Sequence, residues 1–123
     1  TVHELMDPGS VGHLEGMVVR GAGEFLAARS FLIDAFPDFT LRVDEAIAHD
    51  ADVVIRWVAT GTHRGALVGI PPTGRPVSFR GISWFKLANG RIVEGWDSWN
   101  QGRLFTDLHH AAQDLAQRNG LQA

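Results

Sequence analysis

From Phe39 onward apolar residues recur at every second position, and that period restricts the possible folds more than any other feature of the chain. FTLRVDEAIAHD alternates Phe39, Leu41 and Val43 with Thr40, Arg42 and Asp44, then reaches a turn at His49-Asp50-Ala51-Asp52. ADVVIRWVATGTH puts Val53, Ile55, Trp57 and Ala59 on one face and Val54, Arg56, Val58 and Thr60 on the other. RPVSFRGISWFKL reads as a third strand and RIVEGWDSWN as a fourth. They are joined at Asn89-Gly90, a dipeptide in which both residues tolerate the positive φ of a tight hairpin turn. Four successive strands of this kind predict an antiparallel meander.

Helical periodicity flanks the strands. EFLAARSFLIDAF spaces Phe25, Leu26, Ala28, Phe31, Leu32 and Ala35 along one face, predicting a helix from about Gly23 to Ala35 that Pro37 stops. After Gly102, RLFTDLHHAAQDLAQRNG reads as a C-terminal helix closed by Gly120. Residues 1–20 read as a short helical start and a break at Pro8-Gly9. With 123 residues the expected unit is one domain, residues 1–123. Its expected class is α+β: a curved antiparallel sheet wrapped around helices, with an internal pocket. Residues sharing the parity of Trp57 face inward. On the third strand these are Val77, Phe79, Gly81, Ser83 and Phe85. On the fourth the expected inward set is Ile92, Glu94, Trp96, Ser98 and Asn100, with Val93, Asp97 and Trp99 as a rival face.

Composition limits the chemistry. A formal charge of −3 with scattered basic residues argues against nucleic acid as a partner. No apolar run approaches a membrane span and no signal-peptide pattern opens the sequence, so the expected setting is the cytoplasm, away from membranes. Without cysteine or tyrosine, proton transfer falls to the histidines, the carboxylates or water. Four Trp and seven Phe supply apolar faces for a small organic ligand. Between the second and third strands, GTHRGALVGIPPTGRPVSF combines Gly69 and Gly74 with Pro71 and Pro72, which predicts a stiff loop forming the rim of that pocket.

AFPDF, then RWVATGTHRGALVGIPPTGRPVSFRG, then GRIVEGWDSWNQG together resemble the SnoaL-like polyketide cyclase family. That family has the cone-shaped fold shared with nuclear transport factor two, ketosteroid isomerase and limonene epoxide hydrolase. The resemblance covers roughly residues 21–104. It implies a deep pocket, a homodimer, and acid–base chemistry without a cofactor on apolar, polyketide-like ketones: an aldol cyclisation or an isomerisation. It also implies more helix at the start than this chain carries. Family cyclases hold an aspartate where this sequence has Asn100, and an amide orients groups but takes no proton near neutral pH. Epoxide hydrolases carry Arg and Asp at the places of Trp57 and Ala59, and ketosteroid isomerase an Asp at that of Ser83. Epoxide hydrolysis by that mechanism is therefore not expected here, and the isomerase's oxyanion-hole aspartate is missing. A binding protein that has lost the acid, and a cofactorless hydroxylase, are the alternatives to a cyclase.

The expected catalytic pair is His13, as general base, with Asn100 holding an oxyanion or a water. The plainer readings are a solvated loop histidine and a helix cap. Trp57, Ala59, His63, Phe79, Ser83, Phe85, Trp96 and Ser98 are expected to line the pocket, although His63 is also suited to tying the Gly-Pro loop to the sheet. Asp97 points away unless a bulge shifts the register by one residue, in which case it becomes the acid. His109 and His110 fall on different sides of a helix without a third ligand, so no metal site is expected.

Overall fold

The structure is a computed structural model and describes residues 2–120. In chain order it contains α1 (Val2–Leu5), β1 (Met6–Leu14), β2 (Met17–Arg20), α2 (Gly21–Ala35), β3 (Thr40–His49), β4 (Asp52–Thr62), β5 (Pro76–Ala88), β6 (Arg91–Trp99) and α3 (Gln101–Gly120). The strands form one curved six-stranded sheet in the order β2-β1-β6-β5-β4-β3. No helix among the described residues is long and apolar enough to cross a membrane.

The meander from β3 to β6 is antiparallel throughout, as its period and turns require. The β5–β6 turn has Asn89 at φ 53° and Gly90 at φ 75°, the double positive φ that this dipeptide favours. Helix α2 starts where the Glu24 carboxylate accepts the Arg20 N–H (2.9 Å), and it stops just before Pro37.

Two expectations about the sheet are corrected. Residues 6–20 form a β1–β2 hairpin rather than a break, and β1 pairs with β6 in parallel, so the sheet is mixed rather than wholly antiparallel. Pro8 fits within a strand because the β1–β6 ladder is irregular between Met6 and Val11, where its missing N–H costs no regular bond.

Two bulges then set which residues face inward. The β3–β4 register steps from Val43↔Trp57 to Glu45↔Arg56, leaving Asp44 as an extra residue. On the β5–β6 ladder, Leu87↔Ile92 is followed by Lys86↔Glu94, which makes Val93 the extra residue. Beyond Val93 the alternation of β6 is inverted. Gly95, Asp97 and Trp99 pair with Phe85, Ser83 and Gly81 on the inner face, while Glu94, Trp96 and Ser98 pair with Lys86, Trp84 and Ile82 on the outer face.

The main core lies at one end of the inner face. Ala35 and Phe36 from the end of α2, Leu67 and Ile70 from the β4–β5 loop, and Leu104 and Leu108 from α3 are buried together. The middle of the loop is thus packed into the core, whereas its end at Arg75 and the residues Pro76 to Phe79 that follow in β5 line an open cavity. Reciprocal bonds between Leu67 and Ile70 (2.9 and 2.8 Å) close a tight turn over Val68 and Gly69, both with positive φ.

Candidate active site

Three side chains on neighbouring strands form the centre of the inner face. Trp57 on β4 and Ser83 on β5 are buried, and Asp97 on β6 is half-buried. The Trp57 Nε1–H donates to Ser83 Oγ at 2.9 Å, and the Ser83 hydroxyl donates to Asp97 Oδ1 at 2.6 Å. The indole N–H occupies a lone pair of the serine, which directs the hydroxyl hydrogen at the carboxylate. Gly81 makes this reach possible. A Cβ there would overlap Cζ2 of Trp57 and stand 2.7 Å from the Ser98 carbonyl oxygen, so only glycine lets the indole lie across β5.

Burial raises the pKa of Asp97 above the ordinary carboxylate value, and the Ser83 hydrogen bond opposes that shift without cancelling it. Asp97 is the one carboxylate on the inner face of β4, β5 and β6 among the described residues. Its Oδ2 carries no hydrogen bond from another described residue. The group therefore offers a free oxygen of raised basicity on an otherwise apolar surface. An aromatic wall stands beside it: Phe79 stacks on Trp99 with centroids 4.8 Å apart, and both meet Trp57 edge-on at 6.2 and 6.5 Å.

The sequence-based candidates separate on this framework. Trp57, Ala59, Phe79, Ser83 and Phe85 all lie on the inner face. Trp96 and Ser98 do not, because the extra residue Val93 turns them to the outer face, where Trp96 meets Trp84 edge-on. His13 is likewise on the outer face. It pairs in register with Trp96, stacks on that indole at 5.3 Å, and places Nε2 2.8 Å from Glu94 Oε2. It lies across the sheet from Asp97 rather than beside it.

Asn100 ends β6 as a cap, its Oδ1 accepting the Arg103 N–H at 3.0 Å. His63 is fully buried and lines no opening. Its Nδ1 lies 2.9 Å from Thr73 Oγ1 and accepts the Thr73 N–H at 3.3 Å, tying the loop to the sheet. Burial lowers its pKa, and Nε2 has no hydrogen-bond partner. Trp99, which shares the rival face with Asp97 in the sequence, joins it on the inner face because of the bulge. Among the described residues no group of three His, Asp or Glu side chains is arranged to hold a metal ion.

Comparison with known proteins agrees with this architecture. The family model for SnoaL-like polyketide cyclases matches residues 1–108. The chain is 31% identical over 99 residues to the aklanonic acid methyl ester cyclase DauD of Streptomyces sp. (strain C5), a match spanning 78% of this chain and 59% of DauD. Among solved structures it resembles IdmH, a proposed polyketide cyclase from Streptomyces antibioticus, with 32% identity, a TM-score of 0.76, and coverage of 87% of this chain and 84% of IdmH. AclR, a proposed hydroxylase from Streptomyces galilaeus, is 30% identical with a TM-score of 0.76, covering 85% and 78% of the two chains. Likenesses at 13% and 18% identity to proteins of ketosteroid-isomerase-like and nuclear-transport-factor-two-like fold show the fold alone. Because the family model spans residues 1–108, most of its length, this chain belongs to the SnoaL-like polyketide cyclase family.

Proposed function

We propose that the protein catalyses an intramolecular aldol closure of an apolar, polyketide-derived ketone, without a cofactor and with Asp97 as the acid–base group. The observation that carries this reading is the Trp57–Ser83–Asp97 chain of hydrogen bonds, which holds one carboxylate of raised pKa beside an aromatic wall. Asp97 takes a proton from the carbon next to the ketone. The resulting enolate attacks a second carbonyl of the same molecule to form a C–C bond. The new alkoxide then recovers the proton from the carboxylic acid. No electron is gained or lost and no atom leaves, so the product has the mass of the substrate. Trp57, Phe79 and Trp99 bind the flat apolar part of the substrate and keep water from the enolate.

A test is incubation of the purified protein with a panel of aryl and linear polyketide ketones in oxygen-free buffer, read by mass spectrometry. A cyclised product of unchanged mass is expected. Oxygenated product formed only in the presence of dioxygen would assign a hydroxylase instead, and binding with no conversion across the panel would assign a binding protein.

The homodimer implied by the family has a matching surface on the outer face. Val18, His13, Trp96, Trp84, Val54 and Ile47 lie in register as one row across all six strands. Val18 is 55% exposed, Trp84 47% and Ile47 62%. A largely apolar row of that length, exposed at Val18, Trp84 and Ile47, suits a self-complementary contact with a second copy. Sedimentation velocity is expected to give a dimer, and Trp84→Glu a monomer of unchanged fold. A wild-type monomer at micromolar concentration contradicts this assignment.

A further inference from the structure

A cavity of about 650 Å³ opens between the first half of β5 and the first turns of α3. It includes none of Trp57, Ser83 and Asp97. Its origin is a length mismatch. β6 pairs with β5 only from Gly81 onward, so Pro76–Arg80 pairs with β4 alone and presents a bare edge toward α3. Arg75, Arg103 and His110 line this space against a single lining carboxylate, Asp107, and Phe79 and Leu108 give it an apolar floor.

We propose that this cavity binds an organic anion, a carboxylate or phosphate carried on an apolar ring or chain. The chain as a whole is acidic, with a formal charge of −3, so Arg75, Arg103 and His110 beside one cavity run against its general character, the Arg80 side chain itself lying on the outer face in register with Val58. Their own ion pairing is slight. Arg103 Nε is 3.8 Å from Asp107 Oδ2, and Arg75 forms no ion pair with a described residue. Helix stability does not account for Arg103 either, since it sits in the first turn of α3, where a cation has the less favourable sign. Guanidinium groups bind carboxylate and phosphate through paired N–H donors. The volume falls in the range of small-molecule sites, and the floor accepts the apolar body.

The test is an NMR titration of the full chain with 2-naphthoate, 2-naphthyl phosphate and the neutral 2-naphthalenemethanol. Saturable binding of an anion is expected, with shifts at the amides of Asn100, Leu104 and Leu108. The alcohol is expected to bind at least about tenfold more weakly, and Arg75→Glu/Arg103→Glu to weaken the anion by about tenfold or more. Asp97→Asn should leave this binding unchanged, so the site stands or falls apart from the proposed reaction. Whichever anion binds more tightly identifies the carboxylated or the phosphorylated class. The proposal is overturned by equal affinity for the alcohol, by an unaffected double variant, by shifts confined to the Trp57 and Trp99 indoles, or by no saturation at about 10 mM anion.

Discussion

Asp97→Asn is expected to lower turnover about 10²- to 10⁴-fold while leaving the fold intact, the span usual for loss of a positioned acid–base group. The substitution is conservative in shape, and the Ser83 hydroxyl can still donate to the amide oxygen that replaces Asp97 Oδ1. What disappears is the ability to hold and return a proton. In the wild type, the limb of the pH–rate profile governed by Asp97 should rise as the carboxyl loses its proton, at a pH above the ordinary Asp value of 3.8. The variant should lack that limb.

Stability gives an independent check with a defined sign. A carboxyl whose pKa is raised by folding binds its proton more tightly in the folded state, so it favours the fold at low pH and loses that contribution as pH rises through the raised value. Asn has no such dependence. The difference in Tm between Asp97→Asn and wild type should therefore be small near pH 4 and grow in favour of the variant at higher pH. Comparing the two proteins cancels the opposite trend of Asp38, Asp44 and Asp52, whose hydrogen bonds lower their pKa values in both. A variant that keeps more than about a tenth of wild-type turnover would remove Asp97 from the chemistry.

The features legible in the sequence were those set by neighbouring residues. Asn89-Gly90 specifies its turn because both residues accept positive φ, and Pro37 ends α2 because it cannot continue a helix. The period of two located β3 to β6 for the same reason. Two features that escaped depend on distant partners. The first is β1, whose Pro8-Gly9 reads locally as a break and becomes strand only when β6, some eighty residues later, lies alongside it in parallel. The second is Val93, an ordinary β-branched residue that nothing nearby marks as extra, yet it inverts every position after it on β6. That single residue moved Trp96 and Ser98 outward and Asp97 and Trp99 inward. One sequence signal did point to the right face: a glycine in mid-strand at position 81 marks a close approach, and the group that approaches is Trp57.

That glycine leads to the largest expected loss of stability. Gly81→Ala should destabilise the protein by about 3 kcal/mol, at or above the top of the usual range for overpacking, because one of the two obstructing groups cannot move. The new methyl would overlap the Trp57 indole and lie 2.7 Å from the Ser98 carbonyl oxygen, which is fixed by the β5–β6 ladder. The indole must therefore swing away, and with it goes the N–H that holds Ser83 toward Asp97. For a chain of this length the loss corresponds to a fall in Tm of roughly 10–15 °C. Gly23→Ala is the control. A methyl at that position, within α2, meets nothing within 4 Å, and Ala is the better helix former. It should leave Tm unchanged or raise it slightly. The double variant Trp57→Phe/Gly81→Ala separates steric crowding from a general intolerance of side chains at position 81. The smaller ring removes the overlap with the indole but not the contact with the Ser98 oxygen, so its destabilisation should be less than the sum of the two single changes without vanishing. Strict additivity would show that Gly81 is needed for something other than the passage of Trp57, and would break the link drawn here between the shape of β5 and the setting of the carboxylate.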